Sequence, residues 1–99
     1  MNLRDYQDRA KVTINNNIDQ PSLLESCTLG MSGEVGKLSC IVNTDRFKGF
    51  DCIEERRGEI ADILGDMLWF LSAAATALEI PLEDIAAENI IKIGRAYPK

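Results

Sequence analysis

The feature that most constrains this chain is a long apolar run at helical spacing in its second half. Ile60, Ile63, Leu64, Met67, Leu68, Leu71, Ala74, Ala75 and Leu78 recur at the i, i+3, i+4, i+7 positions, which predicts a helix from about Cys52 to Leu78 with one broad buried face. Such a face needs other helices of similar length to cover it. Leu24, Cys27, Met31, Val35, Leu38, Ile41 and Val42 follow the same period. Ser22-Leu23-Leu24-Glu25 reads as a capping box, so this helix is expected to begin at Ser22, run to about Val42 and end in Asn43-Thr44-Asp45. Residues 46–51 then read as the loop of an antiparallel pair.

The flanks are shorter. Leu3 to about Thr13 is polar with sparse apolar positions and predicts a peripheral helix, broken by Asn15-Asn16-Asn17-Ile18-Asp19-Gln20-Pro21. Glu79-Ile80-Pro81 stops the long helix. Pro81 suits the first turn of a fourth, with Glu83 and Asp84 near its positive end and Gly94 to Pro98 ending it. No segment reads as a strand, a repeat or low-complexity sequence. The expectation is one all-α domain over residues 1–99, a bundle of four helices around a single core, which suits 99 residues of 45% hydrophobic composition.

Charge narrows the function. Eleven basic against sixteen acidic residues give a net charge of −5, which argues against wrapping a nucleic-acid polymer. The absence of histidine removes Ser-His-Asp and Cys-His nucleophilic chemistry and the usual zinc ligand sets. Carboxylates, lysine or a thiolate carry any chemistry there is. Cys27, Cys40 and Cys52 are odd in number and widely spaced, and read as buried apolar residues of a reducing compartment. No window approaches the length of a membrane span, and the first residues lack a secretory apolar segment. The expectation is a cytoplasmic protein without a membrane partner.

Several polar residues fall on apolar faces. At about 100° per residue, Leu38, Ile41 and Met31 all lie within about 60° of Glu34, which puts that acid inside the stripe of its helix. A carboxylate so placed must be paired, protonated or bound to a cation. Lys37 lies one turn on. A buried Glu34–Lys37 or Glu34–Arg95 salt bridge that only holds the bundle together is one explanation. On the next helix Glu59, Asp62, Asp66 and Trp69 form a stripe beside the apolar face, and Asp66 sits in the most apolar part of the chain. Glu34 and Asp66 can converge on a divalent cation or a ligand, since hard cations favour oxygen donors.

Gly30-Met31-Ser32-Gly33-Glu34-Val35-Gly36-Lys37-Leu38, the run Glu59 to Leu71 with Gly65-Asp66-Met67-Leu68-Trp69 at its centre, and Ile80-Pro81-Leu82-Glu83-Asp84 through Ile93 resemble the MazG-like nucleoside triphosphate pyrophosphohydrolases. Leu3-Arg4-Asp5-Tyr6-Gln7 resembles the opening of their short, phage-type members. The resemblance implies an all-α fold assembled as a homodimer or homotetramer. It also implies Mg²⁺-dependent cleavage of a nucleoside triphosphate to the monophosphate and pyrophosphate.

That family's metal site is E-x-x-E on one helix and E-x-x-D on the next. Aligned on it, Glu34 and Asp66 keep the first and last acids, while Lys37 and Ile63 stand where the second and third are expected. Glu59 and Asp62 are the available substitutes if the chain is an enzyme using Mg²⁺. Exchanging a carboxylate for an ammonium and another for an alkyl group weakens cation binding and favours phosphate. The resemblance then implies a binder of a nucleotide or nucleotide-derived signal that does not hydrolyse it efficiently and needs no cofactor. Asn89 and Lys92 resemble substrate-holding positions, Arg95 and Tyr97 extend the set, and Trp69 is a candidate for stacking on a base. A non-catalytic interaction module is the remaining alternative.

Overall fold

The computed structural model describes residues 1–47, 49 and 53–98. All regular structure among the described residues is helical: α1 (Leu3–Lys11), α2 (Gln20–Phe47), α3 (Arg57–Ala77) and α4 (Leu82–Ala96). The four predicted helices are present, in the predicted order. Cys52 and half of the predicted loop, residues 48, 50 and 51, lie outside the described residues.

α2 and α3 form the antiparallel hairpin that dominates the fold; α1 packs on α3 and α4, and α4 touches α3 and α1 but not α2. The core sits where the N-terminal half of α2 meets the C-terminal half of α3. There Cys27, Ala73 and Ala74 are buried and Leu23, Leu24, Met31, Trp69 and Phe70 pack around them. Small residues at this crossing let the helices approach closely.

α2 differs from expectation at both ends. It begins at Gln20, because Asp19 takes the capping role assigned to Ser22: its Oδ1 accepts the Ser22 backbone N–H at 2.8 Å. It continues through Asn43-Thr44-Asp45 to Phe47, and the Thr44 hydroxyl donates back to the Cys40 carbonyl at 2.8 Å inside the helix instead of ending it. The Ser22 backbone N–H, and then its hydroxyl, hold the Asp19 carboxyl below the ordinary aspartate value. A lowered folded-state pKa stabilises the fold at pH above the ordinary value, and that stabilisation is lost as the pH falls through the lowered one. Melting temperatures of wild type and Asp19→Asn should therefore differ most at neutral pH and converge in acid. A gap that stays constant down to pH ~2 would show that the cap does not titrate.

α1 is less peripheral than its composition suggests. An Asn2–Asp5 capping box opens it, with Asn2 Oδ1 accepting the Asp5 N–H at 2.9 Å. Gln7 then ties three elements together: its Nε2 donates to the Ile80 carbonyl at 3.0 Å and the Thr76 hydroxyl at 3.3 Å, and its Oε1 accepts the Leu82 N–H at 2.7 Å. Leu82 begins α4, so Gln7 satisfies a backbone donor that the helix cannot. Gln7→Ala should cost about 1–3 kcal/mol by orphaning that donor and the Ile80 carbonyl, read as a shift in urea midpoint at unchanged m-value. Between α3 and α4, Glu79 adopts φ 57°. The Glu79 N–H reaches the Thr76 carbonyl and the Ile80 N–H the Ala75 carbonyl, the left-handed turn that closes many helices. Pro81 serves as the N-cap of α4 and stands just outside its first turn.

Two further expectations are corrected. Cys27 is buried but Cys40 is exposed, since it points away from α3. α3 is also long and apolar enough, by length and composition, to cross a membrane, because its charges cluster toward one end of the helix.

Candidate functional site

Glu34 is the residue from which the site is built. It projects from α2 toward α3 with only 7% of its surface exposed, although its neighbours in sequence, Gly33 and Val35, are exposed. The same inward face carries Cys27 and Ile41, so the helical period that buries the apolar residues buries the acid with them. Glu34 Oε1 accepts a hydrogen bond from Lys37 Nζ at 3.0 Å. Its Oε2 is buried and has no hydrogen-bond partner among the described residues. One oxygen is neutralised and the other is left waiting for a donor, an arrangement that costs free energy unless something supplies one.

Lys37 crosses the edge of the hairpin on a side chain that is 64% exposed. Glu34 raises its pKa above the ordinary lysine value, first through the hydrogen bond and then through charge, and Asp66 and Asp62 on α3 add to the effect. The two acids of α3 thus lie near enough to act on the ammonium through charge, while Glu34 holds it by the hydrogen bond. Asp62 and Asp66 are themselves exposed. Among the described residues, Glu34, Asp62 and Asp66 set three carboxylates against the one ammonium of Lys37, a local balance that is net negative. Its sign is opposite to that of a phosphate trap, and the positive drift inferred from the aligned replacements does not reach a positive site.

Ile63, at the expected place of a third ligand, is buried with 7% exposure against α2. Glu59 turns away: both its oxygens accept from Arg56, at 3.1 and 3.2 Å, and that pairing lowers its pKa. Among the described residues no three acids or cysteines are grouped so as to hold a metal ion. The orphaned Glu34 oxygen alone would suit a cation, but Lys37 occupies the adjoining oxygen and Ile63 offers no donor atom. With Lys37 seated on Glu34, the residues present do not fit the Mg²⁺ that the resemblance implies.

The other candidates fall elsewhere. Trp69 donates its indole N–H to the Thr13 hydroxyl at 2.9 Å and meets Phe70 edge-on, with ring centroids 5.3 Å apart. That makes it a tether between α1 and α3, with its ring engaged by neighbours. Asn89, Lys92 and Arg95 line a separate shallow depression on α4 together with Asp84, Ile85 and Glu88. Tyr97, at the end of α4, is 77% exposed. Since α4 does not touch α2, one chain does not bring these residues to Glu34 and Lys37.

No family model, curated protein or solved structure matches the chain.

Sequence reasoning missed one buried acid. Asp45 is 1% exposed, and neither carboxylate oxygen has a partner among the described residues. Its spacing of eleven from Glu34 places it within about 20° of the same face, and that rotation was the signal available. Its place in a polar Asn-Thr-Asp triplet disguised it as a helix stop.

Proposed function

We propose that this chain binds a nucleotide, or a signal molecule built from nucleotides, without efficient hydrolysis, on the MazG-like plan that its motifs resemble. What supports the reading is the ammonium of Lys37, 3.0 Å from the buried Glu34 and acted on through charge by Asp62 and Asp66, at the position where the aligned motif expects a metal ligand. An ammonium neutralises carboxylates as a cation does, but it cannot lower the pKa of a bound water as a divalent metal does. A site with this chemistry holds a ligand and leaves its phosphoanhydride intact.

The donor and acceptor set refines the ligand's pose. Glu34 Oε2, Asp62 and Asp66 are acceptors, so they suit the amino and hydroxyl groups of a base or ribose. Lys37 has N–H groups beyond the one given to Glu34 and can offer them to a phosphate on this flank.

The test is a thermal-shift panel of nucleoside triphosphates, dinucleotides and cyclic nucleotides, with and without Mg²⁺, followed by chromatography of the incubated nucleotide. At least one nucleotide should raise the melting temperature without being consumed, since a ligand that binds only the folded state stabilises it. Lys37→Met should abolish that shift. A flat response across the panel would defeat the proposal and favour a non-catalytic interaction module. One observation favours a second reading, a Mg²⁺-dependent pyrophosphohydrolase: the flank is net negative and Lys37 is exposed enough to swing aside. Turnover that disappears in Asp66→Ala would establish that alternative.

A further inference from the structure

A groove of about 1020 Å³ runs along the C-terminal half of α2. Val35, Leu38 and Val42 line its length, and Asn43 and Arg46 line its far end. These residues stand at i, i+3, i+7, i+8 and i+11, so they share one stripe of the helix. Val35 and Val42 are 46% and 41% exposed, and Leu38 between them is half-buried. Lys37 lies about 160° round the helix from Val35, which puts the Glu34–Lys37 pair on another side of α2.

The lining is sorted by chemistry. Its apolar residues are at one end and its donors at the other, where the Arg46 guanidinium and the Asn43 amide stand one turn apart. An apolar trough with a few polar groups gathered at one place is the ordinary form of a small-molecule site. The chain has sixteen acids, yet among the described residues no carboxylate lines this groove. Asp45, the acid that α2 carries between Val35 and Arg46, turns inward and is 1% exposed. Arg46 is exposed and forms no ion pair among the described residues. A guanidinium left open in this way matches a carboxylate with two parallel N–H donors.

We infer that the groove binds a free long-chain carboxylate, its tail along Val42, Leu38 and Val35 and its head on Arg46 and Asn43. The axial distance from Val35 to Arg46 is about 16 Å, the reach of an extended saturated chain of roughly a dozen carbons. Charge selects a free molecule over a bilayer. Anionic membranes hold proteins through clusters of Lys and Arg, whereas this groove offers one cation on a chain of net charge −5. Charge also selects this groove over a smaller apolar cleft of about 350 Å³ where α4 parts from α3, beyond which Ile90 and Ile93 are exposed. That cleft is lined by residues such as Leu68, Leu71, Leu82 and Ile85, with no charged side chain to receive a head group. The inference does not rest on the nucleotide reading.

Dodecanoate is the probe. Calorimetric titration of the wild-type chain should show one molecule bound per chain with a micromolar Kd. Arg46→Gln should weaken binding roughly tenfold, the loss of one charge-assisted pairing. Lys11→Gln, which removes a cation from α1, should leave it unchanged. A second measurement places the ligand. Cys40 lines the same groove and is exposed, while Cys27 is buried. Saturating dodecanoate should therefore slow alkylation of Cys40 by iodoacetamide severalfold, read by peptide mass. Absence of binding at about 1 mM dodecanoate would overturn the inference, as would an Arg46→Gln variant that binds like wild type or a Cys40 that reacts at an undiminished rate. So would a chain that binds phosphatidylglycerol vesicles but not dodecanoate. A chain that sediments at twice its mass with Cys40 shielded before any ligand is added would also overturn it, because a second copy would then fill the groove.

Discussion

Replacing Lys37 and Ile63 together by glutamate should make the fold depend on a divalent cation. Ile63 is 7% exposed and faces α2, so the new side chain enters the hairpin beside Glu34, with Asp66 one turn away. The double variant sets four carboxylates on facing turns and removes the ammonium that now neutralises Glu34. Without a counter-ion the clustered charges should cost several kcal/mol, enough to unfold a domain of this size or bring it close to that point. Four oxygen donors on two helices are also a ligand set suited to Mg²⁺. Saturating the site should then restore stability by about 2.7 kcal/mol at a hundredfold excess over Kd. Thermal melts in EDTA and in excess Mg²⁺ distinguish the outcomes. Wild type should melt at the same temperature in both, and the double variant should recover only with the metal. Equal destabilisation in both would show that positions 34, 37, 63 and 66 do not form one cluster, and the alignment behind the proposed function would fall with it.

The second large effect is expected at Gly30, where the Phe70 ring of α3 lies against α2. A Cβ built at Gly30 would overlap the Phe70 ring. Phe70 is not free to retreat, because Trp69 packs edge-on against it and is itself tied to Thr13. Gly30→Val should therefore cost about 3 kcal/mol, the upper end of overpacking penalties, with a further loss from a β-branched residue in a helix. Gly36→Ala in the same helix is the control. Nothing lies within 4 Å of its added methyl group, and the exchange should gain up to about 1 kcal/mol from helix propensity. Urea denaturation at constant m-value reads both. If Gly30→Val is tolerated as well as Gly36→Ala, the close crossing of α2 and α3 is wrong. Partial rescue of Gly30→Val by Phe70→Leu would locate the clash in the ring.

These two experiments probe different depths of what could be read from the chain. The periodicity of Ile60 to Leu78 and of Leu24 to Val42 is local, and it led directly to α3 and α2. The place of Glu34 on an apolar stripe is also local, a matter of 100° per residue, and so is its reach to Lys37 at i+3. The ends of α2 were misread because two signals compete there: Asp19 and Ser22 are both good caps, and Asn43-Thr44-Asp45 suits a turn as well as a final helical stretch. The pairing of Glu59 was illegible for a related reason. Arg56, one turn away, competes for its carboxylate, and composition alone does not say which partner prevails.

The sequence by itself determined four helices, an all-α chain and the acid at the centre of the site, because these follow from spacing along a helix and need no knowledge of what lies opposite. Only the tertiary structure decided that Gln7 joins α1 to Ile80 and Leu82, that Trp69 is held by Thr13, that Asp62 and Asp66 act on Lys37 through charge, and that α4 parts from α3 to leave Ile90 and Ile93 uncovered. Those facts depend on contacts between residues 25 to 75 positions apart, or on their absence. Helical period fixes the direction in which a side chain leaves its own axis, whereas the crossing of two axes fixes what it meets.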